Sequence, residues 1–130
     1  MNFAYTIVYV ADVAATLAFW ERAFGLKRRF LHESGAYGEL DTGATALAFV
    51  DHATARDSVG RDYVAAADSE RPLGIEIGLA SADVAAAFER AVAAGAAPLK
   101  APVVKPWGQT VAYVRCPDGS LVELCTPMGG

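Results

Sequence analysis

The sequence predicts an α+β domain made of two βαβββ repeats, whose strands form a curved eight-stranded mixed sheet with a concave cleft. Two observations predict it. The tetrapeptide Asp12-Val13-Ala14-Ala15 recurs as Asp83-Val84-Ala85-Ala86, and each copy directly follows an apolar, alternating segment. Around each copy lie four segments with a period of two, which is typical of strands with one buried face. The order strand, helix and three strands therefore occurs twice.

Each repeated tetrapeptide is predicted to begin a helix. Asp12 and Asp83 are favourable N-cap residues, because a carboxylate accepts hydrogen bonds from the free N–H groups of the first turn. Gly25 and Gly95 are predicted to end the helices, since glycine adopts the left-handed conformation at little cost. Each helix carries one apolar stripe: Val13, Leu17, Trp20 and Phe24 in the first, and Val84, Ala87, Phe88, Ala91 and Val92 in the second.

Eight strands are predicted from the two-residue periodicity. They cover residues 3–10, 27–33, 36–40 and 45–50 in the first repeat, and 73–79, 99–104, 110–115 and 121–126 in the second. Turns rich in Gly, Pro and Asp separate consecutive strands. We therefore assign residues 1–51 to repeat one, 72–130 to repeat two and 52–71 to a linker, which we expect to carry a short helix or a flap.

Composition argues against several classes of function. The 130 residues include 11 Lys and Arg against 15 Asp and Glu, and a net charge of −4 repels a phosphate backbone. The densest basic cluster, Lys27-Arg28-Arg29, is typical of a solvated edge. Apolar runs are too often interrupted to span a membrane, and the first residues do not resemble a secretory signal. We expect a cytoplasmic protein without a nucleic-acid or membrane partner.

Strand alternation assigns one set of side chains to the face of the sheet that the helices leave free, which we call the free face. Glu76 lies on it between Gly74 and Gly78, opposite the apolar Ile75, Ile77 and Leu79. Glu123 and Cys125 lie on it because Val122 and Leu124 are predicted core residues. Tyr5, Tyr9 and Ala48 occupy the same face in the first repeat. The glycines beside Glu76 either leave room for a ligand or relax a twisted strand around an exposed carboxylate.

The two glutamates would repel each other in a partly desolvated cleft. One of them should have a raised pKa unless a cation or a donor lies between them. Three outcomes are open: a metal ion, a shared proton or a wide separation. A carboxyl group with a raised pKa can act as a general acid or base.

Two long segments resemble the vicinal oxygen chelate superfamily of glyoxalases, bleomycin-resistance proteins and extradiol dioxygenases. The first runs Tyr5-Thr6-Ile7-Val8-Tyr9-Val10-Ala11-Asp12-Val13, followed by Phe19-Trp20 and Phe24-Gly25-Leu26. The second runs from Pro106-Trp107-Gly108-Gln109-Thr110 through Cys116-Pro117-Asp118-Gly119-Ser120-Leu121-Val122-Glu123-Leu124. The resemblance covers essentially the whole chain. It implies a fold of the glyoxalase/bleomycin-resistance type, a small-molecule ligand and a homodimer.

The resemblance also implies where a divalent metal would be held, with one ligand from the first and one from the last strand of each repeat. Those positions fall on Tyr5, Ala48, Glu76 and Glu123. Alanine has no donor atom, and a phenol prefers ferric iron to nickel, zinc or magnesium. His32 and His52 match no ligand position. We therefore expect no cofactor, the alternative being one divalent metal ion at Glu76 and Glu123.

Three functions stay open. The first, similar to the antibiotic-binding branch, is a protein that binds, sequesters or processes by acid/base chemistry a small metabolite or antibiotic, with Glu76 and Glu123 as the catalytic pair. The second is a metal-dependent glyoxalase-like lyase, isomerase or dioxygenase using those glutamates. The third is a structural or regulatory module.

The other candidate ligand-binding residues are Tyr5, Tyr9, Ala48, Trp107 and Cys125. The aromatic residues and the cysteine each have a structural alternative. Tyr5, Tyr9 and Trp107 offer stacking surface, or else the tyrosines stabilise the sheet and the tryptophan closes a turn. Cys125 is a nucleophile or thiol sensor, or else a small buried residue.

Overall fold

The chain follows the order strand, helix and three strands twice, as the repeated tetrapeptide predicts. The computed structural model describes residues 1–128, in two compact units. The first unit, Met1–Ala65, contains β1 (Tyr5–Val10), α1 (Val13–Phe24), β2 (Lys27–Leu31), β3 (Tyr37–Asp41), β4 (Ala46–Asp51) and α2 (His52–Val59). The second unit begins at Ala66 and contains a 3-10 turn (Ala66–Asp68), β5 (Glu76–Ala80), α3 (Val84–Ala94), β6 (Ala97–Val104), β7 (Thr110–Arg115) and β8 (Leu121–Cys125).

The strands of each unit hydrogen-bond into one mixed sheet. The strand orders are β1-β4-β3-β2 and β5-β8-β7-β6, so the described residues form two four-stranded sheets. In both, the first strand pairs in parallel with the last, and the remaining pairs are antiparallel. The fourth strand is therefore central, and its residues have neighbours on both sides. Ala48 of β4 and Glu123 of β8 occupy equivalent places in the two sheets.

The predicted helix caps are confirmed. The side chain of Asp12 accepts a hydrogen bond from the amide of Ala15, and that of Asp83 accepts one from Ala86, each at 3.0 Å. Gly25 and Gly95 adopt positive φ at the helix ends. The helix in the predicted linker, α2, has the same pair of caps: Asp51 caps its start and Gly60 ends it.

The core of each unit lies between its helix and its sheet. In the first unit Trp20 is fully buried and its ring packs 5.6 Å from that of Phe49. In the second, α3 packs on a sheet whose buried residues are aliphatic, including Val114, Val122 and Leu124. The opposite face of the second sheet keeps its polar residues, as alternation predicts. The basic cluster is a solvated edge with ion pairs, including that of Arg28 with Glu21 at 2.8 Å.

Strand β5 is shorter than predicted, and this corrects one burial assignment. It begins at Glu76 instead of residue 73, because the amide of Ile75 donates to the carbonyl of Leu73 in a turn. Ile75, expected on the apolar side, is consequently 72% exposed, while Ile77 and Leu79 are partly buried as expected. Glu76 is thus the first residue of an edge strand.

A close approach of two backbone segments fixes the β7–β8 turn. Gly119 has φ +91° there, and a Cβ on it would collide with the backbone carbonyl of Ala66. No side chain fits between the two backbones. The start of the second unit therefore packs directly on this turn.

We expect Gly119→Ala to lower the free energy of unfolding by about 3 kcal/mol or more, because left-handed strain adds to a backbone clash. Gly43→Ala is the matched control, since Gly43 has φ +90° and no described atom lies within 4 Å of the place its Cβ would take. It should lose only the strain, about 1–2 kcal/mol. Urea denaturation of both variants measures the difference, and equal losses would contradict the close approach.

Candidate functional site

The free face of the second sheet brings the two predicted glutamates together. Glu123 lies on the central strand β8, with Gly78 of β5 on one side and Tyr113 of β7 on the other. Glu76 lies two residues before Gly78 on the same strand, and therefore points to the same face. Parallel pairing of β5 with β8 places these acidic groups, which are far apart in sequence, next to each other.

Hydrogen bonds join the cluster. The hydroxyl of Tyr113 donates to Oε2 of Glu123 at 3.1 Å. The carboxyl groups of Glu76 and Glu123 also share a hydrogen bond. Because an ionised carboxylate only accepts, this contact needs a proton on one of the two groups. Of the three outcomes that the sequence leaves open, this contact excludes the wide separation.

The shared hydrogen bond raises the pKa of Glu76 to about 7 from an ordinary value near 4.5. Its largest cause is the bond to Glu123, followed by desolvation and by repulsion from the same carboxylate. Glu76 is solvent-exposed, so a specific contact rather than deep burial dominates the shift. Glu76 therefore exchanges a proton near neutral pH.

The thiol of Cys125 belongs to the same cluster but is not activated. It is half-buried, and its Sγ lies 3.7 Å from the carbonyl oxygen of Leu79. Burial and the neighbouring Glu123 raise the pKa of this thiol. A thiol with a raised pKa is a poor nucleophile at neutral pH, so the structural reading of Cys125 is favoured over a nucleophile or sensor.

Gly78 leaves open space beside both glutamates. A Cβ built on it would have no heavy atom of the described residues within 4 Å, and its φ is not positive, so other residues fit its backbone. It is the register neighbour of Glu123 and lies two residues from Glu76. This supports the interpretation that the glycine leaves room for a ligand.

The first unit carries a different polar group at the equivalent place. Ala48 is fully buried, and its neighbour on β3 is Glu39. The hydroxyl of Tyr37 donates to Oε2 of Glu39 at 2.6 Å, and the pKa of Tyr37 rises to about 12 through burial and this bond. Sequence reasoning missed this pair, although the spacing of Tyr37 and Glu39 on one strand places them on one face. Tyr5, on the edge strand β1, is 54% exposed.

Tyr9 is packed by the segment that follows α2. Its ring centroid lies 4.9 Å from that of Tyr63, whose hydroxyl is 2.6 Å from Nδ1 of His52. The guanidinium of Arg56 lies 5.2 Å from the centroid of the Tyr63 ring. Tyr63 was not singled out from the sequence, because the linker has no clear apolar period. One face of Tyr9 is thus covered within its own unit.

Trp107 lies in the turn between β6 and β7. Its indole N–H donates to Oε1 of Gln109 at 2.9 Å, and the ammonium of Lys105 lies 5.8 Å from the ring centroid. Gln109 in turn donates to the carbonyl of Thr126. These bonds fit the turn-closing role, and the 64% exposed ring leaves the stacking role open as a prediction.

The donor atoms do not fit the four-ligand metal site that the resemblance implies. Ala48 supplies no donor and is buried, and Tyr5 supplies only a phenol. Within residues 1–128 no three His, Cys, Asp or Glu side chains converge on one point. In the second unit, the site offers the two carboxyl groups of Glu76 and Glu123, which contact each other.

The chain belongs to the Glyoxalase/Bleomycin resistance protein/Dioxygenase superfamily, whose family model matches residues 2–124. The predicted family and the predicted fold are thereby confirmed. The superfamily's name covers both enzymes and resistance proteins, so membership alone does not assign a ligand or a reaction. No curated protein matches the chain significantly.

Solved structures agree with this fold. A glyoxalase-related enzyme from Fulvimarina pelagi is 22% identical, with a TM-score of 0.81 over 97% of this chain and 88% of the other. A hypothetical protein from S. aureus is 16% identical, with a TM-score of 0.80 over 97% and 94%. A glyoxalase/bleomycin resistance protein/dioxygenase family enzyme from Burkholderia phytofirmans PsJN is 24% identical, with a TM-score of 0.71 over 97% and 98%. Across residues 1–128, no helix is long and apolar enough to span a bilayer.

The raised pKa of Glu76 predicts a pH-dependent stability. Between about pH 4.5 and 7, Glu76 is protonated in the folded protein but ionised in the unfolded chain. Proton binding therefore stabilises the fold fully below this range of pH, and the stabilisation is lost as the pH rises through it. We therefore expect the change in Tm caused by Glu76→Gln to be about 1–3 °C more positive at pH 8 than at pH 5. This corresponds to a few tenths of a kcal/mol, as expected for an exposed charge pair.

Thermal denaturation at the two pH values measures this effect. Glu89→Gln is the matched control, because Glu89 is exposed on α3 in the same unit and should show no such difference. An identical pH response in the Glu76→Gln variant and the unmodified protein would contradict the shared proton.

Proposed function

We propose that this protein binds a small molecule carrying a protonated amine on the free face of its second unit, at Gly78 between Glu76 and Glu123. The proposal depends on one observation: two carboxyl groups in contact, Glu76 and Glu123, lie beside open space on a sheet. The raised pKa of Glu76 marks a place where a positive charge is favourable. Family membership supports a small-molecule ligand without specifying it.

An ammonium group suits this place better than an anion or a neutral group. Two ionised carboxylates at hydrogen-bond distance repel each other, and a cation with several N–H donors satisfies both at once. Binding would displace the shared proton. Because that proton leaves more easily at higher pH, affinity for an amine should rise up to about pH 7, the pKa of Glu76, and level off above it.

The same pair can also move a proton on a bound ligand. A carboxyl group with a pKa of about 7 is well matched to acid/base chemistry at neutral pH. The Tyr113 hydroxyl, which donates to Glu123, keeps that side chain oriented. Glu76 is thus the group that takes or gives the proton, and Glu123 orients and stabilises it. A homodimer and a cytoplasmic location are further predictions from the sequence.

The test uses three probes that each have four carbon atoms: n-butylammonium, n-butyrate and n-butanol. Titrated into ¹⁵N-labelled protein, n-butylammonium should shift the amide resonances of residues 76–79 and 121–125 saturably, with a dissociation constant in the millimolar range, as expected of so few non-hydrogen atoms. The other two probes should not. Gly78→Val, which fills the open space, and Glu76→Gln, which removes one charge, should each weaken binding by about tenfold or more.

Ala97→Val serves as the control, since it adds bulk at an exposed position of the edge strand β6. It should bind n-butylammonium normally. Equal shifts from n-butyrate or n-butanol would contradict a cation site. Tight binding of a divalent metal ion at the same amides, lost in Glu123→Ala, would favour metal-dependent chemistry instead.

A further inference from the structure

Glu76 lies at the exposed start of an edge strand, where few neighbouring residues hold the backbone in position. It is the first residue of β5, an edge strand that, among the described strands, hydrogen-bonds to β8 alone. The preceding residues are exposed, with Leu73 at 39% and Ile75 at 72%. A Cβ at Gly74 would meet no atom of residues 1–128 within 4 Å. Because the segment that leads into β5 has few contacts, a residue farther upstream has to be held in place if the Glu76 side chain is to keep a fixed position.

Arg115, the last residue of β7, provides such an anchor. Its Nη2 donates to the carbonyl of Ala66 at 2.9 Å, and to the carbonyl and hydroxyl of Ser69 at 2.9 and 3.1 Å. Nη1 donates to the carbonyl of Glu70 at 3.4 Å, and Nε to that of Gly119 at 3.3 Å. All five acceptors are neutral, so the guanidinium is committed to backbone and hydroxyl oxygens. It binds the segment leading into β5.

The register of the sheet places this anchor in line with the site. Arg115 is the partner of Leu121 on β8, and Leu121 is the partner of Glu76 on β5. The three residues thus form one row across three strands on the free face. Ser69 extends the anchor toward β5, because its hydroxyl also donates to the carbonyl of Arg71 at 2.6 Å.

We propose that Arg115 is a positioning residue, which holds the segment 66–71 against the β7–β8 turn and thereby keeps Glu76 beside Glu123. The proposal rests on the role assigned above to that pair. Arginine is required because a planar guanidinium reaches several carbonyls at once in fixed directions, whereas a lysine ammonium is a single point with three donors. Arg115 itself is not a catalytic residue.

A double-mutant cycle separates positioning from general stabilisation. Tm is measured at pH 5 and pH 8 for the unmodified protein, Glu76→Gln, Arg115→Lys and the double variant. The titratable groups around Glu76, which are Glu123 and Cys125 on β8 and Tyr113 on β7, stay unchanged in all four proteins. With Arg115 present, the change in Tm caused by Glu76→Gln should be more positive at pH 8 than at pH 5. With Arg115→Lys, we expect less than about half of that pH-dependent gain, because Glu76 no longer stays beside Glu123.

The proposal would be overturned if Arg115→Lys lowered Tm equally at both pH values and left the pH-dependent gain from Glu76→Gln unchanged. That result would show that Arg115 has a purely structural role. Arg61→Lys, at an exposed position outside the anchor, is the matched control and should leave the gain intact. If Arg115→Lys does not fold, Ser69→Ala replaces it in the cycle with the same two outcomes. The cycle needs no ligand, so absence of n-butylammonium binding would refute the proposed function without changing its result.

Discussion

Parallel pairing between the first and last strands of each unit is the constraint on which the site depends. The helix that crosses from β5 covers one face of the sheet, and β8 returns beside β5 in the same direction. The free-face residues of the two strands therefore become neighbours, whatever their distance in sequence. Glu76 and Glu123 meet for this reason, and their contact accounts for the raised pKa of Glu76.

The two units share the same strand order but differ in the side chains on their free faces. Where the second sheet has Glu123 with Tyr113 beside it, the first has a buried Ala48 with Glu39 beside it, bonded to Tyr37. Both units thus hold a tyrosine–glutamate hydrogen bond on the free face. In the first unit Glu39 also pairs with Arg29, whereas in the second Glu123 contacts a second carboxyl group, that of Glu76. The two units therefore differ in the charged groups that surround their tyrosine–glutamate bonds.

The sequence predicted the fold well because the decisive signals are local. Asp12 and Asp83, with Gly25 and Gly95, mark helix ends through their own backbone contacts, and alternation placed Glu76 and Glu123 on one face. The start of β5, the Tyr63 contact with Tyr9 and the Arg115 anchor could not be predicted. Each depends on segments that meet only in the folded chain, and no periodicity in residues 52–71 indicates them.

The proton shared by Glu76 and Glu123 is the central claim, and ¹³C NMR titration of their side-chain carboxyl carbons tests it most directly. The resonance of Glu76 should titrate near pH 7. Titration of Glu76 near its ordinary pKa of about 4.5 would contradict the claim.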